Sequence, residues 1–171
     1  MGLHHMAFAT KDLTETHRFY TELMGFQLVT VERTATPGGT GWAKHAFYDA
    51  GDGSMIAFWE LHDPTIPDTW SPAISEGMGL PAWVNHIAFA ARDRADLDRR
   101  RQTWVDAGAI VAQVDHEWCE SVYTQDPNRI LVEFCWTKRP FTEADVRAAQ
   151  VALVDPTPAT AVPKEPVIYG L

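Results

Sequence analysis

Four side chains in this sequence have the types and the spacing that could hold a metal ion. His5 and His86 each begin a short apolar segment, and Glu60 and Glu133 lie inside two others, MIAFWEL and RILVEFCW. A carboxylate that points inward from such a strand is costly unless it has a partner. Imidazole and carboxylate together form the ligand set of Fe(II), Mn(II), Ni(II) or Zn(II). Because the four residues occupy what we interpret as matching positions in two halves of the chain, we predict that His5, His86 and Glu133 bind one divalent metal, with Glu60 as a candidate fourth ligand.

The two histidines belong to an internal repeat. The segment HMAFATKD, residues 5–12, matches HIAFAARD, residues 86–93, without a gap and with five of eight positions identical. The repeat aligns His4 with Asn85, so we choose His5 as the ligand. Each copy predicts a short strand followed by an aspartate that can cap a helix. Along such a strand the histidine shares a face with small alanines, which leaves room for an ion and a substrate.

Each copy of the repeat opens a larger unit. The helical segments after the two aspartates end near Gly25 and Gly108, residues that suit a helix terminus. Three predicted strands follow each helix: 26–33, 42–48 and 55–61 in the first half, and 110–114, 121–125 and 130–135 in the second. We therefore predict an α+β fold in which two βαβββ modules form curved mixed sheets around a shared metal-binding cavity.

The predicted domain spans residues 1–138. Module one covers residues 3–61, a linker rich in Pro and Gly covers 62–84, and module two covers 85–136. Residues 139–171 predict a C-terminal helix and then a Pro-rich tail that is extended or mobile.

Composition and charge exclude several classes of partner. The net charge of −9 repels the phosphates of nucleic acids and of anionic membranes. No apolar run approaches the length of a membrane span, and the N-terminus does not resemble a signal peptide. The two cysteines, Cys119 and Cys135, provide no disulfide framework. We expect a cytoplasmic protein that binds a small molecule.

The chain resembles the vicinal oxygen chelate superfamily, which includes glyoxalase I, extradiol ring-cleavage dioxygenases, methylmalonyl-CoA epimerase, and fosfomycin and bleomycin resistance proteins. The similarity spans residues 3–136, and DLTETHRFYTELMGF resembles the first helix of that superfamily. The resemblance implies that the first strand of each module donates a His to the metal and the last strand a Glu. Those positions here are His5, Glu60, His86 and Glu133. The resemblance also implies a homodimer.

Residues 114–133, VDHEWCESVYTQDPNRILVE, resemble the signature of extradiol dioxygenases. The sequence departs from that signature at Arg129, where Gly or Pro is expected. The resemblance implies that His116 is a catalytic acid or base and that the Tyr123 hydroxyl holds a substrate oxygen. Further candidates for substrate contact are aromatic side chains beside the predicted cavity: His45, Trp59 and Trp118.

Glu60 leaves the chemistry open. The equivalent position of ring-cleavage enzymes is usually not a ligand, whereas glyoxalase I uses a Glu there. Glu60 is therefore a fourth ligand, an outer group that tunes a three-ligand site, or a side chain that turns away. We favour an Fe(II) extradiol-type dioxygenase acting on a small catecholic substrate, with Zn, Ni, Mn and Co as alternative metals. The alternatives are a glyoxalase I-like lyase, isomerase or epimerase, and a non-catalytic resistance protein that binds a small molecule.

Overall fold

A computed structural model describes residues 2–171 as two mixed β-sheets and three α-helices. The first sheet has the order β1-β4-β3-β2 and consists of β1 (His5–Thr10), β2 (Gln27–Ala35), β3 (Trp42–Asp49) and β4 (Met55–His62). The second has the order β5-β8-β7-β6-β9 and consists of β5 (His86–Ala90), β6 (Val111–Asp115), β7 (Cys119–Gln125), β8 (Leu131–Thr137) and β9 (Val167–Tyr169). The helices are α1 (Leu13–Arg18), which continues into a π-helical turn, α2 (Arg94–Asp106) and α3 (Glu143–Val154). The predicted α+β fold with two βαβββ modules is confirmed.

The first helix of each module begins at the predicted aspartate. Asp12 accepts hydrogen bonds from two backbone amides in the first turn of α1, at 2.9 and 3.0 Å. Asp93 accepts one from the backbone amide of Asp96, at 2.7 Å. Gly25 and Gly108 follow the helical segments with φ values of 74° and 83°, in the left-handed region that glycine adopts without steric cost. These residues fix where the chain leaves each helix to start the next strand.

Each sheet has one face against the core and one face toward solvent, which we call the open face. Core-facing residues of β4 and β5, such as Ile56 and Ile87, are buried. Side chains alternate along a strand, so their neighbours point to the opposite side. The open faces carry small and imidazole side chains that are exposed: His5 and Ala7 in the first sheet, and His86, Ala88 and Ala90 in the second.

The two modules share one hydrophobic core. A buried polar network also joins them, in which the Tyr20 hydroxyl donates to Asp126 at 3.1 Å and the Asn128 amide donates to Thr16 at 3.2 Å. Tyr20 and Thr16 belong to the helical segment of module one, whereas Asp126 and Asn128 lie in the turn before β8. The modules therefore pack through their core-facing sides, and this packing leaves the open faces to solvent.

The C-terminal segment contains the predicted helix and one strand that the sequence did not predict. Thr142 and Asp145 form a capping box at the start of α3. The Pro-rich tail then runs without regular structure until Val167–Tyr169, which pairs antiparallel with β6. Within residues 2–171, no helix has the length and apolar character needed to cross a membrane.

Candidate metal centre

The open face of the second sheet brings four predicted site residues together, and we call them the second half-site: His86, His116, Tyr123 and Glu133. Nε2 of His86 lies 3.3 Å from Oε2 of Glu133. Tyr123 faces Glu133 across the β7–β8 register, and its hydroxyl lies 2.9 Å from Nε2 of His116. Residues that are up to 47 positions apart in the sequence thus form one cluster, because β5, β7 and β8 are neighbours in the sheet.

His86 and Glu133 have the surroundings expected of metal ligands. Glu133 is only 5% exposed, and within residues 2–171 its one ion-pair partner is His86. Nδ1 of His86 lies 3.2 Å from the backbone carbonyl of Trp83. A metal-binding histidine usually donates its second N–H to such an acceptor, which orients the ring and leaves the other nitrogen for the metal. The donor set and its supporting contact therefore fit a divalent cation.

Tyr123 is a hydrogen-bond donor at neutral pH. Burial, with a further contribution from the charge of Glu133, raises the pKa of Tyr123 well above its usual range. The hydroxyl accordingly keeps its proton and can donate a hydrogen bond, and its contact with His116 places that imidazole beside the donor.

The open face of the first sheet carries a second group of aromatic side chains, which we call the first half-site: His5, His45, Phe47 and Trp59. His45 stacks on Trp59 with ring centroids 3.7 Å apart, and its centroid lies 6.5 Å from that of His5. His45 is buried, and this burial lowers its pKa. Its Nε2 is a buried atom without a hydrogen-bond partner in the described part of the chain. His4 precedes β1, with its Nδ1 2.8 Å from that of His5.

An apolar trough of about 560 Å³ continues from the first half-site along β1 and β4. Among the described residues its lining contains no charged side chain and consists of Ala7, Phe8, Ala9, Thr34, Ala35, Thr36, Pro37, Ala43, Trp59 and Leu61. Ala7 and Ala9 follow His5 on the same face, so the trough begins about 7 Å from that histidine at ~3.3 Å per strand residue. A neutral apolar group of a ligand held near His5 would fit this space.

The strand register contradicts the predicted match between Glu60 and Glu133. Glu133 lies opposite Ala88 in β5. The residue in the same place of the first sheet, opposite Ala7, is Ala57. Glu60 comes three residues later, on the opposite side of the strand. The prediction is wrong because an apolar segment with a Glu shows that a strand is present, but not how that strand aligns with its neighbour.

Glu60 is instead bound into a contact network on the core-facing side of the first sheet. Its Oε2 accepts hydrogen bonds from Lys44 at 2.8 Å and from His62 at 3.0 Å, and its Oε1 accepts from the backbone amide of Leu13 at 3.0 Å. Partial burial opposes ionisation, but these hydrogen bonds outweigh it and lower the pKa of Glu60 to about 2. Its carboxylate thus connects β4 to Lys44 of β3 and to the first residue of α1.

The single chain keeps the two half-sites apart. Within residues 2–171, no three His, Cys, Asp or Glu side chains come close enough together to hold a metal ion. His5 has its aromatic neighbours in module one, whereas His86 and Glu133 contact each other in module two.

Besides Glu60, the sequence prediction for Trp118 differs from the structure, and two features of the site carry no sequence signal. The aromatic neighbour of Trp118 is Phe141 of the C-terminal segment, with ring centroids 4.9 Å apart, rather than a member of either half-site. The carbonyl of Trp83 beside His86 is a backbone group, which every residue has, so the residue types could not indicate this contact. Ala57 has no reactive side chain that could single it out in the sequence. Only the strand register shows that it occupies the place that corresponds to Glu133.

A sequence model of the Glyoxalase/Bleomycin resistance protein/Dioxygenase superfamily matches residues 2–134. The chain belongs to this superfamily. The match contains both modules and ends directly after Glu133. The superfamily, also called the vicinal oxygen chelate superfamily, contains enzymes and non-enzymes and generally depends on divalent metals. Membership thus establishes the fold and is typical of proteins with a divalent-metal site. The reaction has to be inferred from the residues.

Solved structures share the superfamily fold. A glyoxylase/bleomycin resistance protein/dioxygenase domain from Frankia sp. EAN1pec is 20% identical with a TM-score of 0.62, covering 81% of this chain and 98% of that one. The fosfomycin resistance protein FosX from Listeria monocytogenes is 18% identical with a TM-score of 0.57, covering 81% and 94%. A lactoylglutathione lyase from Agrobacterium tumefaciens is 20% identical with a TM-score of 0.53, covering 79% and 92%. Comparison with curated proteins found no significant match. At these identities the structural similarity shows the fold alone.

Proposed function

We propose that this protein is an extradiol-type ring-cleavage dioxygenase that acts on a small catechol and uses Fe(II) held by His5, His86 and Glu133. The observation that carries the proposal is the contact between Nε2 of His116 and the Tyr123 hydroxyl, 2.9 Å apart on the open face that also holds Glu133. Ring cleavage needs a group that exchanges protons and a donor that holds a substrate oxygen beside the metal. This pair supplies both.

Ala57 favours a three-ligand site over a four-ligand site. It lies where a fourth carboxylate would have to be, and Glu60 is held on the other face by Lys44 and His62. Two histidines and one carboxylate leave coordination positions open. When bound, Fe(II) would supply those positions to the two vicinal oxygens and to dioxygen. A glyoxalase I-like lyase that depends on a second carboxylate ligand has less support.

The protein residues have separate tasks in this proposal. Tyr123 stays protonated because burial raises its pKa, so its hydroxyl donates a hydrogen bond to one catechol oxygen. His116 lies within reach of the same oxygen and passes a proton to or from it. In the assembled site Trp59 and the stacked His45 would form the wall opposite this pair, and the trough that Trp59 lines would take an apolar substituent of the catechol.

The proposed site is completed by two copies of the chain in a cytoplasmic homodimer. The first half-site supplies one ligand, the second supplies two, and each faces solvent in the single chain. Ala7, Ala88 and Ala90 are exposed although alanines on a sheet face are usually covered. If the first half-site of one copy faces the second half-site of the other, the three ligands meet and the exposed alanines are buried.

Anaerobic loading with Fe(II), followed by a panel of catechols and then air-saturated buffer, tests the proposed reaction. We expect uptake of one dioxygen per catechol and a ring-fission chromophore in the visible range. The Tyr123→Phe and His116→Gln variants should keep Fe(II) but lose roughly 10²–10⁴-fold in kcat, the usual contribution of a positioned acid or base. Glu60→Gln is the matched control and should retain activity.

The same samples distinguish the alternative functions. Isomerisation of a hemithioacetal by protein loaded with Zn or Ni, without oxygen uptake on any catechol, would replace the dioxygenase with a lyase. Binding of a catechol or an antibiotic without chemical change, under every metal, would indicate a binding protein.

A further inference from the structure

The C-terminal extension, residues 138–171, lies beyond the part of the chain that matches the superfamily, which ends at residue 134. It nevertheless attaches to the domain at three places, of which two contact one short loop and the third pairs with the strand that leads into that loop. That loop is the β6–β7 turn, residues 115–119, which carries His116. The extension is therefore in a position to control one of the proposed catalytic side chains.

The start of the extension contacts the β6–β7 turn directly. The backbone amide of Lys138 donates to the carbonyl of Trp118 at 2.9 Å, and its Nζ donates to Asp115 at 2.8 Å. Phe141 then packs against the Trp118 ring, with centroids 4.9 Å apart. These contacts hold both sides of the turn around His116.

The end of the extension returns to the same turn. Nζ of Lys164 lies 3.7 Å from Asp115 and 3.8 Å from Glu117. Three residues later β9 begins, and it pairs with residues 111–113 of β6, the strand that leads into the turn. Arg101 of α2 lies over the Tyr169 ring at 4.6 Å and fixes the far end.

The turn is closed by two backbone hydrogen bonds of its own, from the His116 amide to Cys119 at 3.0 Å and from the Trp118 amide to His116 at 2.9 Å, but its backbone is strained at one residue. Glu117 has a φ of 72°, a left-handed conformation that is costly for a residue with a side chain. Asp115 stabilises this conformation by accepting from the Glu117 amide at 2.8 Å. Asp115 is thus the link between the turn and both lysines. The hydrogen bonds from Lys138 and from the Glu117 amide lower the pKa of Asp115 to about 2, so it is charged throughout the neutral range.

We propose that the C-terminal extension is a strap that holds the β6–β7 turn so that His116 stays in hydrogen-bond contact with Tyr123. Lys138 and Lys164 are its positioning residues, and they act through Asp115 on His116. The inference rests on the proposed function for the role of His116. The contact between His116 and Tyr123 is also measurable without turnover.

A double charge removal, Lys138→Met with Lys164→Met, tests the strap in the full-length protein. The control is Arg147→Met, which removes one charge from the same extension, where Glu143 is the one ion-pair partner of Arg147 within residues 2–171. NMR of the Zn-substituted protein would follow the His116 imidazole signals, assigned by their loss in His116→Gln, and their cross-peaks to the Tyr123 ring. Kinetics of the Fe-loaded protein would separate kcat from KM.

In the double variant we expect shifted His116 signals, weaker cross-peaks to Tyr123, and about a tenfold lower kcat at unchanged KM, metal content and melting temperature. The double Lys→Arg variant should restore both readouts. His116 signals and kcat equal to those of Arg147→Met would overturn the strap, even if ring cleavage is observed. Lost cross-peaks in a protein that cleaves no catechol would support the strap and reject only the proposed function.

Discussion

At the scale of single residues, Glu60 and Glu133 show how the same residue type in similar sequence surroundings reaches two different states. Each lies in the apolar last strand of its module, and each has a histidine as an ion-pair partner. Glu60 also receives a lysine and a backbone amide, so its charge is already compensated. Glu133 is buried with Tyr123 opposite it and with His86 as its one ion-pair partner within residues 2–171, and a buried carboxylate with so little charge compensation favours an added cation.

This difference predicts that the same substitution, Glu to Gln, affects metal binding at one position and not at the other. Glu133→Gln should abolish tight Fe(II) binding, because it removes the only anionic ligand of the proposed set. Glu60→Gln should leave the metal content unchanged and lower stability by about 1 kcal/mol, the loss of one partly exposed ion pair. Metal analysis after dialysis, together with urea unfolding, checks both. Loss of metal in Glu60→Gln with an intact fold would return Glu60 to the ligand set.

At the scale of secondary-structure elements, strand alternation determines which side chains can meet, and strand register determines which ones do. His5, Ala7 and Ala9 were predicted to share a face of β1, and β1 places them together on the open face. The sequence contained no comparable signal for the alignment of β1 with β4. That alignment begins at Met55, whose amide donates to the carbonyl of His4 at 3.0 Å, and it pairs residues about 50 positions apart in the chain.

The apolar trough that runs along β1 and β4 predicts which catechols the protein prefers as substrates. Ala9 lines it, so Ala9→Phe should fill the space next to Trp59. We expect KM for catechols with an aryl or alkyl substituent to rise about tenfold or more, whereas unsubstituted catechol should change by about twofold at most, because only the larger ligand meets the new ring.

Ala9→Ser is the matched control, since it changes polarity with almost no added volume. Binding measured by anaerobic calorimetry would separate affinity from turnover. Equal effects of Ala9→Phe on substituted and unsubstituted catechols would show that the trough does not hold the substituent.

At the scale of the whole molecule, one shared core and two exposed half-sites predict catalysis between two copies. The Tyr20–Asp126 hydrogen bond and the common hydrophobic cluster fix the two modules back to back. A chain that rearranged to bring its own half-sites together would have to break these buried contacts, a cost of several kcal/mol. Association with a second copy requires no such break.

Mixing two inactive variants tests this arrangement. His5→Ala and Glu133→Ala should each be inactive alone. Co-expressed in equal amounts, they form mixed dimers in which one of the two sites is intact, so we expect about a quarter of the wild-type activity, since half of the dimers are mixed. Purification through two different affinity tags would enrich the mixed dimer to about half of that activity. A mixed dimer as inactive as its parents would place the whole site within one chain.

The sequence by itself determined the two modules, the helix caps and three of the candidate ligands. The internal repeat contains His5 and His86 in the same local pattern, and caps such as Asp12 and Asp93 act within a few residues. Local patterns of this kind depend only on neighbours in the chain. The predicted strand boundaries differ from the observed ones by at most two residues for the same reason.

Only the tertiary structure decided the rest. It placed Ala57, rather than Glu60, in line with Glu133, brought His116 to Tyr123, and tied the C-terminal extension to the turn that carries His116. It also separated His5 from the other two candidate ligands. Each of these results depends on strand register or on packing between segments distant in the chain, and neither is encoded by the local pattern of residue types. The three candidate ligands are thus predicted from the sequence, while the number of ligands and the way they would meet depend on the fold.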